Sequence, residues 1–479
     1  MNETRRLSEF LAELKYETIP LDVVGKAKRL ILDYLGYVTV AADEPTAKVL
    51  LKFITTYDGR KEAMILGYGT MASCLNAALI NGAMGHMCEI DDTHRQTGSH
   101  PGDSTIASAL AVAEKERADG KQFLTAVVAG YEAALRVGAS VCPSHYLKGW
   151  HTSGTIGTFG AAAAAGKLLG FSADQMENCI GLAAVQAAGM FGSDPAEKSD
   201  VTFMTKDLRP GKAAYTGVLS AILTEIGLTC EPNTLEGEKG FCALYSGKYN
   251  LGRITDRIGE EFKIMEVAHK PYSACRFIHP AIDATLQLME KHKITKDDVK
   301  TVTVESYRYV ALGMDNMNPV GPYGPRFSVQ FQLALTLAEG KTGLKRVLAN
   351  HNYDVERLKS PQIQVLMQKI RTAYNKGLDK EWEELCLYAS TVKIETEDGN
   401  QYSQYVKYPK GEPENDMSRE ELEEKFVTLT TRLLTQEKAN TIIEAIDEIE
   451  KLQDVRELTS LFSYDYVGKT QTPQNAHLK

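Results

Sequence analysis

Apolar residues recur at helical spacing through the first half of the chain. Leu7, Phe10, Leu11 and Leu14 share one face, and Ala27, Leu30, Ile31 and Tyr34 form the next stripe. Pro20 precedes that second stripe and suits a helix start, where a missing N–H costs little. Thr105–Ala113 and Gly160–Leu169 are rich in alanine, with an unbroken run from Ala161 to Ala165. Such small side chains predict helices packed at close range in a crowded interior. No period-two alternation, the mark of a half-buried strand, occurs before about residue 299.

The pattern then changes. Lys300 to Tyr307 alternates, as do Thr391 to Thr396 and Tyr402 to Tyr408. Asp398-Gly399 lies between the last two runs and predicts a hairpin. From Ser418 helical spacing returns at Leu422, Phe426, Leu429 and Leu433, and the polar tail after Gly468 is expected to fray. Helix, then α/β, then helix predicts an inserted middle piece, with the last helices docking on the first. The predicted fold is mainly α: a helical domain from residues 1–265 plus 415–465, and a smaller α/β lid at 266–414.

A length of 479 residues accommodates two or three domains. The formal net charge of −9 argues against nucleic acid or an anionic membrane as the main partner. No apolar run reaches the length of a membrane span, and the charged N-terminus lacks a signal-peptide core. The cysteines include no CxxC pair, so reduced thiols in a cytoplasmic protein are expected.

Four clusters could carry chemistry. His86-Met87-Cys88-Glu89-Ile90-Asp91-Asp92-Thr93-His94, with Ser99-His100-Pro101-Gly102 after it, concentrates histidines and carboxylates. It reads as an acid/base site; a metal site or a solvated helix end are the alternatives. Gly149-Trp150-His151-Thr152 opens a glycine-rich GxxGxxG segment that is no dinucleotide fingerprint. Lys206 stands near the start of a third segment, Thr205–Ala214. The fourth, His269–His279, includes Lys270, Tyr272, Cys275 and Arg276 and lies where the helical half gives way to the α/β part, a favoured place for small ligands. Lys270, Arg276 and His279 suit carboxylates, while Cys275 reads as a packed, inert thiol. His145 lies outside every cluster and is expected to matter little. Mostly cationic candidates in an acidic chain predict a locally positive pocket for an anionic metabolite.

In this order the clusters resemble the MmgE/PrpD family. The resemblance rests on H-x-x-[DE]-x-D-D-T ending in His-Pro, on G-x-H-T with the alanine run, on T-K-x-L…G-x-A-A, and on K-x-Y…C-x-x-x-H-x-x-I-D-A at Lys270–Ala284. It implies a homodimer and a pocket between helical domain and lid; separately, no Rossmann, P-loop or cysteine-cluster signature occurs, so no cofactor or metal is expected. The resemblance places Glu89, Thr93, His100, His151, Lys206 and Lys270 at that pocket. Glu89 stands where the family usually has aspartate, Arg209 where histidine is frequent, and Cys275 where the decarboxylase branch has histidine. The chemistry implied starts with proton removal α to a carboxylate of a small di- or tricarboxylate. His151, His100, Glu89, Lys206 and Lys270 are the expected catalytic group; Thr93, Asp91, Arg276, His279 and Tyr272 are expected to bind substrate. A 2-methylcitrate dehydratase-like hydro-lyase is the first expectation, an epimerase or cis-aconitate-type decarboxylase the second. A non-catalytic binding protein is the alternative of another class.

Overall fold

The structure is a computed structural model that describes residues 2–192, 203–321, 323–350 and 353–462. The polar tail after Gly468 lies outside the described residues. Helices dominate, and the first two form where the apolar spacing places them, at Glu3–Glu13 and Leu21–Val40. Pro20 stands one residue before the second as its N-cap.

The alanine-rich helix Gly157–Leu168 is buried from Gly157 to Gly166. It packs beside Thr205–Glu225, which also lies against Cys74–His86. Close approach is strict there: a Cβ on Gly211 would sit 2.3 Å from the Leu79 carbonyl oxygen. The small residues thus bring the helices that carry His86 and Lys206 together.

Six strands are present among the described residues. β1 (Ala63–Ile65) and β2 (Thr70–Ala72) form an antiparallel hairpin. It is a correction to the expectation of no strand before residue 299. Three-residue strands are too short to show a period, and β1 is buried throughout. The other four, β3 (Val299–Ser306), β4 (Ile370–Tyr374), β5 (Ser390–Thr396) and β6 (Gln401–Val406), make one sheet in the order β4-β3-β5-β6. β5 and β6 are the expected hairpin, with Gly399 at φ 86° in its turn. β4, parallel to β3 at the edge, has no counterpart in the sequence reading.

Buried apolar side chains gather into two cores. One runs from Leu7 to Val267 and takes in Leu348 and the C-terminal residues Leu422 to Phe462. The other spans Ala274 to Val406 around the four-stranded sheet. Among the described residues one helix, Gly120–Val141, is long and apolar enough by length and composition to cross a membrane, although Lys121, Glu132 and Arg136 interrupt its apolar residues. Its most apolar window is entirely buried, packed inside the first core.

Candidate functional site

Helix Cys74–His86 starts on Ser73, whose side chain accepts from the Asn76 N–H, and ends on His86. The chain then runs irregularly to His100, where Pro101 begins the next helix. Within this stretch Glu89 has φ 54°, a left-handed conformation that costs energy in a residue bearing a Cβ. Side chains from elsewhere hold the segment by its carbonyls. Lys206 Nζ donates to His86 O at 3.4 Å, and Arg326 Nη1 to Met87 O at 2.8 Å. Ser273 Oγ donates to Cys88 O at 2.6 Å, and Lys425 Nζ to Ile90 O at 2.9 Å. All four donors are buried.

So fixed, Glu89 meets two ammonium groups, Lys206 and, at 3.0 Å, Lys270. Burial alone would raise its pKa; the two lysines outweigh that and hold its carboxyl well below the usual range. Asp91 Oδ1 lies 3.1 Å from Lys270 Nζ. Asp91 Oδ2 is 2.7 Å from Nδ1 of both His86 and His100. Burial opposes its ionisation too, but His100, Lys270 and His86 keep it an anion. Asp103, 3.2 Å from His86, is driven the other way: burial, with Asp91 and Asp92 beside it, pushes its carboxyl well above the usual range. Asp92 accepts from Gly102 N and Tyr131 Oη, and burial lifts it to about 6.

A cavity of about 140 Å³ opens over this cluster. Glu89, Thr93, His100, His151, Lys206 and Arg276 all line it. So does His86, which the sequence reading passed over in favour of its neighbours. Its ring centroid lies 4.6 Å from that of His100 and 5.5 Å from that of His151. Its place as the first residue of the H-x-x-E run was the signal available. Burial, with Lys206 beside it, pushes His86 down to about 3, and burial with Arg209 and His86 holds His151 well below 6.5. Both rings are therefore neutral near pH 7. Among the described residues His86 Nε2, Thr93 Oγ1, His100 Nδ1 and His151 Nδ1 are buried without a hydrogen-bond partner.

Other expected residues lie elsewhere. Lys270 is fully buried beneath Glu89 and Asp91 and does not line the cavity; Asp91 is likewise behind its wall. Tyr272 turns to a separate groove and donates to Asp283 at 2.7 Å. His279 is buried against the Ala274 carbonyl at 3.1 Å and Arg276 at 3.1 Å. Arg276 reaches the wall, but Glu412 holds its Nε and Nη2 at 3.0 and 2.8 Å. The expected positive pocket is thus electrically balanced, each of these cations facing a carboxylate. Cys275 lines the cavity as a thiol that burial pushes up to about 12. His94 turns from Glu89 and Asp91 to Thr97 and Glu266. The group whose ligand atoms converge, within 4.8 Å of one another, is instead His86, Asp91 and His100. His86 Nδ1 forms a 2.7 Å hydrogen bond with Asp91, whereas His100 Nδ1 lies at the same distance without forming one. His145, expected to be incidental, is buried between Thr155 at 2.7 Å and the Tyr245 carbonyl at 3.1 Å, propping the turn of His151.

Family models match both parts of the chain. The MmgE/PrpD N-terminal domain covers residues 5–253, and the MmgE/PrpD C-terminal domain covers 272–451. The chain belongs to the MmgE/PrpD family. It is similar over nearly its whole length to the cis-aconitate decarboxylase of Aspergillus terreus, 24% identical over 484 residues that span 96% of each chain. The cis-aconitate decarboxylase-like protein oryM of Aspergillus oryzae is 26% identical, across 96% of this chain and 97% of its own. The cis-aconitate decarboxylase of Homo sapiens is 25% identical, across 92% and 90%. Within this MmgE/PrpD chain, residues from both family domains meet at the cavity: His86, His100, His151 and Lys206 from the first, Cys275 and Arg276 from the second.

Proposed function

We propose that this protein is a lyase that works by proton transfer on a small carboxylate. One observation carries the reading: two imidazoles in different settings line one cavity. Burial holds His151 neutral and, among the described residues, its Nδ1 has no hydrogen-bond partner, as is also true of His100 Nδ1, so His151 is free to accept a proton. His100 Nδ1 lies 2.7 Å from Asp91 Oδ2, a carboxylate placed to offset positive charge on the ring, and His100 takes the donor's part in this reading. In a hydro-lyase His151 takes the proton α to the substrate carboxylate. The C–H electron pair forms the double bond, the C–O bond breaks, and the hydroxide leaves as water with a proton from His100. Glu89 fixes Lys206 at the edge where charge builds on the carboxylate. Lys270 acts through Glu89 and Asp91.

Decarboxylation is the second reading, favoured by the activity named for the relatives. There the C–C bond breaks, CO₂ departs, and the carbanion left behind takes its proton from His100. That route needs an acid and no base, so the His151–His100 pair fits elimination better. Residues 1–265 plus 415–465 as a helical body, 266–414 as its lid, and a homodimer complete the proposal. The two cores support the division, and light scattering on the eluting protein tests the dimer. A panel of hydroxy- and unsaturated carboxylates, followed by proton NMR, tests the reaction. Loss or gain of water across a double bond supports the first reading; CO₂ release alone replaces it with the second.

A further inference from the structure

Resting on the lyase reading, we infer that the substrate is amphipathic: a carboxylate at one end and an apolar, preferably planar, substituent at the other. The cavity's own charges come first. Lys206 is bound to Glu89, and Lys270 behind it to Glu89 and Asp91. Arg276 spends Nε and Nη2 on Glu412, and Nη1 on the Lys410 carbonyl at 2.9 Å and His279. Among the described lining residues, no lysine or arginine lacks a carboxylate partner. Three successive carboxylates on a substrate would therefore find little compensating charge, and Glu89 would repel them.

The unpartnered polar atoms point the same way. His86 Nε2, Thr93 Oγ1, His100 Nδ1 and His151 Nδ1 are buried, lack a hydrogen-bond partner among the described residues, and belong to residues that line the cavity. With Lys206 they suffice to seat the carboxylate end of the substrate. Aromatic and thioether side chains make up much of the remaining wall, Phe191, Phe277, Tyr309, Phe327, Tyr388 and Met314, with Ser99, Thr152 and Asn316 among its other polar members. A carboxylate placed against these rings would lose its hydration without gaining a partner, whereas an alkenyl or aryl group would gain contact area. The tricarboxylate in the relatives' names thus suits this cavity less well than a carboxylate with one arm made apolar.

The test compares cis-aconitate with 2-benzylmaleate, in which a phenyl ring replaces the third carboxylate. Affinities for the full-length protein are measured by calorimetry, and turnover of each by NMR. The inference expects 2-benzylmaleate to bind at least about tenfold more tightly, as burial of an aromatic ring provides. In Phe277→Leu and Phe327→Leu, checked for folding by circular dichroism, that ratio should shrink. Equal or tighter binding of cis-aconitate overturns the inference, as does failure of 2-benzylmaleate to bind or a ratio untouched by both variants. If the benzyl compound binds preferentially but neither compound turns over or exchanges protons with solvent, the lyase reading fails and the inference about the ligand stands.

Discussion

Three residues illustrate how environment assigns a role to a side chain. His151 must be neutral to accept a proton, and burial holds its pKa below 6.5. The acid limb of kcat/KM against pH is therefore expected below pH 6.5; a limb at or above that value contradicts the assignment of His151 as base. Lys270 has no access to substrate, so Lys270→Met should lower kcat and stability with little change in KM. It leaves Glu89 and Asp91 with fewer counter-charges, and breaking such a buried pair costs about 3–5 kcal/mol. A loss confined to KM in steady-state kinetics would return Lys270 to the role of carboxylate binder. His145 has a folded pKa of about 4 against an unfolded value near 6.5, because burial disfavours its charge. Its folded pKa is the lower one, so its contribution is intact above pH 6.5 and is lost as pH falls towards 4. Wild type should lose up to ~2 kcal/mol between pH 7 and pH 5 that His145→Gln does not lose. Thermal melts at the two pH values should show the variant's deficit narrowing; a constant deficit speaks against the buried neutral ring.

At this scale the sequence was a good guide to which residues gather and a poor one to what they do. Glu89, Thr93, His100, His151 and Lys206 stood in recognisable motifs and reach one cavity. The pairing of Arg276 with Glu412, 136 positions away, was invisible in the sequence, and with it the neutrality of the site. Tyr272 stood in a motif as good as any other, yet the backbone turns it to Asp283.

At the scale of elements, close helix packing positions the site. Gly211→Ala should drive helix Thr205–Glu225 away from Cys74–His86, separating Lys206 from His86. The expected cost is about 1–3 kcal/mol, with reduced turnover. Gly25→Ala is the comparison, since nothing lies within 4 Å of the added methyl. It should stabilise the helix Leu21–Val40 by up to ~1 kcal/mol. Melting temperatures that fall equally in both variants would remove close packing as the explanation. The alanine runs made this crowding legible, and alternation revealed β3, β5 and β6. The hairpin β1–β2 was hidden because two three-residue strands fall below the reach of any periodicity, and β4 because it follows directly on helix Pro361–Gln368.

Across the whole molecule, the segment that carries Glu89 is a meeting point. Arg326 and Ser273 grip it from the second core's side, and Lys425 from a C-terminal helix that packs into the first. Lys425 also binds Asp33, and Arg326 lies 3.4 Å from Glu44 and 3.2 Å from Asp354. Assembly of both cores therefore sets Glu89 in its left-handed conformation, and with it the neutral, proton-sharing floor of the cavity. No one stretch of sequence could announce such an arrangement, because its parts are drawn from both ends of the chain. The central claim is that this floor moves protons to and from the carbon beside a carboxylate, with His151 as the base. The most direct measurement is proton NMR in D₂O of a turned-over substrate with wild type, His151→Ala and, as a control, His292→Ala, whose ring lies tilted against Tyr402 with centroids 4.2 Å apart. The account predicts solvent deuterium at the α carbon of recovered substrate with wild type and the control. With His151→Ala it predicts exchange and turnover slowed by about 10²–10⁴-fold and binding largely kept. Near-normal exchange in a correctly folded His151→Ala protein would contradict it.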